Sequence, residues 1–248
     1  MTTALPTLTI RALVGGWMAL VLVVAGAVGL TSAAHATGAP AATISIGNGV
    51  LYSDCRDHAF SYAVTVPAGS TSWTLDVTAY GPDGLESGSE YLYGSDDNPT
   101  PGAGDFFFCA GMMAGTYTIQ TVFEWTDQDY NSYSTAVAPV SFTMRKPFTR
   151  TTLAASTTNP DYGQRVKLKV TSKDERPAGY FASDYAKVRV QRYTSGEWAT
   201  IKGGRLTIEL GKAVMRYRFA STGREKFRAV TVPHTRLSGS TSTKVVLR

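Results

Sequence analysis

The chain has 248 residues, 43% of them hydrophobic and only 17% charged, with a formal net charge of +5 at pH 7 and two cysteines. That length accommodates one large domain or two small ones, and the apolar fraction supports a packed core. No long amphipathic helical pattern follows residue 36, which excludes a helical fold. Short alternating runs broken by Gly, Pro, Asn and Asp indicate an all-β sandwich or barrel instead.

The first segment is a targeting signal by pattern. Arg11 precedes the apolar run Leu13 to Leu30, which ends in Ala34-His35-Ala36, an A-x-A cleavage signature. The competing reading is an uncleaved membrane anchor, because 18 residues approaches spanning length. Four glycines in the run favour cleavage, leaving an expected mature chain of Thr37 to Arg248 with no membrane span. The expected location is extracellular, either released or associated with the cell wall. The ending Val245-Val246-Leu247-Arg248 has no sorting motif, so any wall association is expected to be non-covalent.

Strands follow in order. Phe60, Tyr62, Val64 and Val66 alternate with small or polar residues, as do Trp73, Leu75, Val77 and Ala79. A period of two puts each set on one face, toward a core. Gly81-Pro82-Asp83-Gly84 reads as a turn. A strand is predicted from Gly115 to Trp125 and another from Ala136 to Met144. In the second half, Val166, Leu168 and Val170 face inward, then Val188 and Val190, then Met215, Tyr217 and Phe219, then Phe227 and Ala229, and finally Val245 and Leu247. About seven short strands per hundred residues is the immunoglobulin-like count. The predicted fold is therefore two tandem Ig-like antiparallel β-sandwiches after a signal peptide at 1–36, covering residues 40–146 and 148–248.

Charge changes sign at the boundary between them. Residues 37–146 hold 3 Lys+Arg against 12 Asp+Glu, a balance of −9, and residues 147–248 hold 20 against 7, a balance of +13. Such asymmetry bears on partners. Arg165, Lys167, Lys169, Arg216 and Arg218 are expected on one sheet of the basic half. Lys187, Arg189, Lys226 and Arg228 are expected on the other. This field should attract polyanions in a salt-sensitive way. Outside a cell these include anionic cell-wall polymers, anionic lipids and extracellular nucleic acid. The charge covers two sheets rather than one groove, and aromatics are not expected to interleave with it as in single-strand binders, so no specific nucleic-acid partner is expected. Docking of the acidic half on the basic half, and head-to-tail self-association, are the alternatives.

The second half resembles the Ig-like repeats of secreted bacterial, especially actinobacterial, proteins. The resemblance rests on Thr151-Thr152-Leu153, Tyr162-Gly163-Gln164-Arg165-Val166, Val188-Arg189-Val190-Gln191-Arg192, Gly196-Glu197-Trp198, Phe227-Arg228-Ala229 and Ser240-Thr241-Ser242. It implies a spacer, adhesive or wall-associated module, since fold does not imply function. The first half resembles an Ig-like sandwich by anatomy. Trp73 stands where a strand-C tryptophan would, and Tyr117 opens its strand as a tyrosine-corner residue does.

Two cysteines in a secreted chain predict one disulfide, Cys55 to Cys109. The antibody positions are not used, because Cys109 precedes Tyr117. Cys55 sits in Asp54-Cys55-Arg56-Asp57-His58, which reads as a solvated loop. Cys55 and His58 supply only two zinc ligands where three or four are needed.

Catalysis has little support. No G-x-S-x-G elbow occurs, and a carboxylate pair for glycoside hydrolysis on the acidic half is kept as the alternative. No cofactor is expected other than calcium. Asp127-Gln128-Asp129-Tyr130-Asn131 begins like an EF-hand loop but lacks its glycine and its closing glutamate. Oxygens of Asp127, Asp129 and Asn131, or of Asp96, Asp97 and Asn98, could form a different calcium site in an adhesin. Tyr91, Tyr93, Trp125, Tyr130 and Tyr133 are the aromatic candidates for recognising an extracellular glycan or protein.

Overall fold

The computed structural model describes residues 39–94 and 100–248, which contain seventeen strands and no helix. Thr37–Arg248 forms one compact unit. The expected signal peptide, and Asp96, Asp97 and Asn98, lie outside the described residues.

The first eight strands are β1 (Ala41–Ile46), β2 (Gly49–Val50), β3 (Arg56–Thr65), β4 (Ser70–Tyr80), β5 (Glu86–Tyr93), β6 (Gly102–Phe108), β7 (Gly115–Asp127) and β8 (Ser132–Arg145). They form a three-stranded sheet, β1-β3-β6, and a five-stranded sheet, β2-β8-β7-β4-β5. All pairings are antiparallel except β2 with β8. The alternating apolar residues do what their period dictates. Phe60, Tyr62 and Val64 from one sheet meet Leu75, Val77, Ile119 and Phe123 from the other in a single core. Burying a phenylalanine as completely as Phe123 contributes about 1.5–3 kcal/mol.

The remaining strands are β9 (Thr149–Ala155), β10 (Arg165–Arg176), β11 (Gly179–Ala182), β12 (Lys187–Thr194), β13 (Glu197–Thr207), β14 (Lys212–Arg218), β15 (Glu225–Thr231), β16 (Ser240–Thr241) and β17 (Val245–Leu247). One sheet is β9-β10-β14 with β11 beside β10, and the other is β13-β12-β15 with β16 and β17 on the outer side of β15. A second core holds Val166, Leu168, Val170, Val188, Val190, Phe227 and Leu247.

Both sandwiches follow one plan. Strands equivalent to A, B and E face strands equivalent to C′, C, F and G, which is an Ig-like arrangement. The fourth strand (β5 or β13) pairs with C rather than joining the A-B-E sheet. Glu90-Tyr91-Leu92-Tyr93 thus forms the end of an edge strand. Its alternation is weak because only Leu92 of the four is fully buried.

The junction is tied by polar contacts. Arg145 closes β8 and donates through both terminal nitrogens to Glu175 in β10, at 2.7 and 2.8 Å. Phe148 N–H donates to the same carboxylate at 2.9 Å, and Lys146 donates to the His234 carbonyl at 3.2 Å. This ion pair runs against the net charges. Its cation comes from the acidic half and its carboxylate from the basic half.

Candidate functional site

The cysteine cluster is structural. Arg56 pairs with Phe108 in the β3–β6 register, which leaves Cys55 opposite Cys109 one step further along. The two are disulfide-bonded with a Cα separation of 4.1 Å. The closed loop spans 54 residues, for which chain entropy gives about 4 kcal/mol as an upper figure. Arg56, Asp57 and His58 lie in β3, so the solvated-loop expectation is corrected for them. His58 has partners: its Nε2–H donates to the Gly47 carbonyl at 2.8 Å, and its ring stacks on Phe142 at 5.6 Å. A Cβ at Gly49 would stand 2.7 Å from this ring, so the short β2 strand needs glycine to pass it.

Tyr117 does act as a tyrosine corner. Its buried hydroxyl donates to the Met113 carbonyl at 2.7 Å, four residues upstream. Burial pushes the phenol's pKa up, with Asp83 adding to it.

The Asp127 loop is a braced hairpin tip. Asp127 Oδ1 accepts from the backbone N–H of Asp129 and Asn131, at 2.8 and 3.0 Å. Its Oδ2 accepts from the Asn131 amide at 3.1 Å and the Tyr133 hydroxyl at 3.0 Å. Four donors therefore engage the two oxygens of the Asp127 carboxylate. Asn131 presents nitrogen, not oxygen, to the carboxylate. In this arrangement Asp127 and Asn131 serve as hairpin braces, and Asp129 contributes its backbone N–H. The hydrogen bonds from Asn131 hold the Asp127 carboxyl below its ordinary pKa, assisted by Tyr133. Among the described residues no group of three His, Cys, Asp or Glu side chains is arranged to hold a metal ion.

The aromatic candidates separate. Trp125 is half-buried against the first core and stacks between Phe123 at 5.2 Å and Tyr133 at 5.5 Å, so it closes the sandwich rather than presenting a free ring. Tyr133 is committed to that stack and to Asp127. Tyr130 stands exposed at the hairpin tip. Tyr91 and Tyr93 project from the outer face of the five-stranded sheet, in register with Asp76 and Thr74 of β4.

Among the described residues, titratable groups come together at two places. Glu90 of β5 is pushed up by burial and by Asp105 of β6, which belongs to the other sheet. A cavity of about 330 Å³ at the junction is lined by Asp174, His234 and Arg236 among others. There Ser183 donates directly to Asp174, and His234 Nδ1 accepts the Arg236 N–H, so no histidine stands between serine and carboxylate.

The cations of the basic half are the coherent feature. Arg165, Lys167 and Lys169 project outward from β10, and Arg216 and Arg218 from β14, all exposed. The register opposes Arg165 to Arg218 and Lys167 to Arg216. Lys173 of β10 and Lys212 of β14 extend the same face. Neither was singled out from sequence, although the period of two from Lys169 and Arg216 reaches both. Among the described residues only Arg145–Glu175 and Arg192–Glu225 come within ion-pair distance, so no carboxylate neutralises this face.

The opposite sheet carries the second set. Lys187 and Arg189 project from β12, and Lys226 and Arg228 from β15. Here the sequence expectation about aromatics is corrected. Trp198 of β13 lies 4.5 Å from the Arg228 guanidinium, and Tyr193 of β12 lies 5.8 Å from Lys226 Nζ. The two rings meet at 5.3 Å because β12 and β13 place Tyr193 opposite Trp198. Arg228 also donates to Gln191 at 2.8 Å. Interleaving arises across strands, where a linear reading does not find it.

No protein-family model matches the chain, and no curated protein matches it. Among solved structures, it is similar to a β-glycosidase from Bacteroides vulgatus at 9% identity and a TM-score of 0.28, covering 84% of this chain and 24% of that one. It is similar to the calcium-binding domain CBD12 of CALX1.1 at 11% identity and a TM-score of 0.31, covering 75% and 79%. It is similar to the Yersinia pseudotuberculosis adhesin InvE at 13% identity and a TM-score of 0.31, covering 83% and 58%. Likenesses at these scores carry no argument about activity or ligand.

Proposed function

We propose that this protein is a non-catalytic extracellular Ig-like module that binds an anionic cell-envelope polymer across the outer face of β9-β10-β14. The observation that carries the reading is the registered opposition of Arg165 with Arg218 and of Lys167 with Arg216, on a face where no cation is ion-paired to a carboxylate among the described residues. Like charges directly opposite in a sheet destabilise it. A local rule broken without compensation inside the fold points to a ligand that supplies the compensation. Successive outward residues on a strand stand about 7 Å apart, so the rows suit a linear chain of repeated phosphate or carboxylate groups. The Cys55–Cys109 disulfide supports an oxidising, extracellular setting.

The test is retention of the purified protein on isolated wall sacculi, with and without their anionic polymer, across a sodium chloride series. Affinity is expected to fall linearly on a log–log plot, the slope shrinking by about one for each cation neutralised. Absence of retention at low salt, or retention unaltered by Lys167→Gln with Arg216→Gln, would overturn the reading.

A further inference from the structure

The other sheet of the basic sandwich has a concavity of its own. A depression of about 380 Å³ opens between β12 and β13, lined by Lys187, Arg189, Arg205, Thr207 and Val232 among its residues. Arg189 and Arg205 are directly opposed in the β12–β13 register. Lys187 donates from Nζ to Thr207 Oγ1 at 2.9 Å, which swings its ammonium across the same strand pair. Three cations therefore border one depression, and none forms an ion pair among the described residues.

The local chain is shaped to make this arrangement. Pairing between β12 and β13 slips between Arg189 and Gln191, so the segment between Thr200 and Arg205 bulges out before the register resumes. Gly203 has φ of +70°, in the left-handed region. A Cβ at Gly204 would stand 2.6 Å from the Val190 carbonyl oxygen, so only glycine allows this approach. The Gly203-Gly204 pair is what returns Arg205 to a position facing Arg189. A bulge commonly re-aims a side chain in this way.

We infer that Arg189, Arg205 and Lys187 form an anion site for a phosphate monoester. Its dianion matches the excess positive charge. The planar fork of each guanidinium fits two phosphate oxygens, and the lysine adds a point charge. Thr207 supplies a hydroxyl beside them. The site lies on the sheet opposite the polymer-binding face and does not rest on that assignment.

The test uses uniformly ¹⁵N-labelled protein titrated with inorganic phosphate, with glycerol 3-phosphate and, separately, with phosphatidylglycerol vesicles. Saturable shifts confined to amides of 187–189 and 205–207 are expected with both soluble anions. Arg189→Gln and Arg205→Gln should each weaken glycerol 3-phosphate binding about tenfold, and Arg205→Lys should restore it only in part. Lys167→Gln with Arg216→Gln should leave it unchanged. Preserved amide dispersion in each variant separates loss of the site from loss of the fold. Shifts that grow linearly without saturation, shifts spread over every basic residue, or unaltered binding in Arg205→Gln would overturn the inference. Vesicle binding that needs Arg205 while glycerol 3-phosphate does not bind would assign the site to a lipid diester and overturn the monoester.

Discussion

Removing charge from the β9-β10-β14 face should strengthen the fold while it weakens polymer binding. Lys167 faces Arg216 directly, and Arg165 and Lys169 are its diagonal neighbours across the strand pair. Charges roughly 6 Å apart in water repel by about 0.7 kcal/mol, and diagonal ones near roughly 8 Å by about 0.5 kcal/mol. Part of this repulsion persists in the unfolded chain, so Arg216→Gln should stabilise by about 1 kcal/mol at low salt. Arg216→Glu turns repulsion into attraction and should give about twice that. For a protein of this size the midpoint would rise by about 3 °C and about 6 °C. In 1 M salt the Debye length is about 3 Å, so both gains should vanish. Thermal unfolding followed by circular dichroism in 10 mM buffer and in 1 M sodium chloride reads this directly. A fall in midpoint for Arg216→Glu at low salt, or a rise that persists at 1 M, would refute the reasoning that these cations are held together against their own repulsion.

Two further outcomes follow from the packing and the junction. Tyr117→Phe deletes the hydroxyl bonded to Met113 and leaves that carbonyl unpaired, which should cost about 1 kcal/mol in urea unfolding; an unchanged midpoint would remove the corner's role. The Arg145 guanidinium, hydrogen-bonded to Glu175, holds that carboxyl below its ordinary pKa, with burial opposing. A depressed carboxylate stabilises fully above its unfolded pKa of about 4.3 and loses that contribution as pH falls through the lower folded value. Because the guanidinium is partly exposed, the pair should contribute about 1 kcal/mol at neutral pH. The gap in urea midpoint between the wild type and Arg145→Gln should narrow below about pH 4, and a gap constant down to pH 2.5 would contradict it.

What could be read from sequence was whatever depends on period and punctuation. The alternation at Phe60 to Val64, Trp73 to Ala79 and Val166 to Val170 sets which side chains enter the core, because neighbouring strand residues must point to opposite faces. The Gly81–Gly84 turn is of the same kind, closed by a Gly84 N–H to Gly81 carbonyl bond at 2.9 Å. The disulfide followed from cysteine arithmetic. The aromatic and acidic candidates were harder, since a tyrosine or tryptophan in a strand carries no mark of whether its ring meets the core. Trp125 and Tyr133 became packing partners, and Asp127 became a hairpin brace, through neighbours that only folding supplies.

The sequence by itself determined the strand content, the inward residues, the cysteine pair and the sign of charge on each half, because these depend on composition and on spacing along the chain. Only the tertiary structure decided which cations stand together. Arg165 and Arg218 are 53 positions apart and Arg189 and Arg205 are 16 apart, yet each pair is directly opposed once β10 meets β14 and β12 meets β13. Register across strands, and the glycine bulge that resets it, set the distance between charges. That distance turns a basic half-chain into two separate cationic faces.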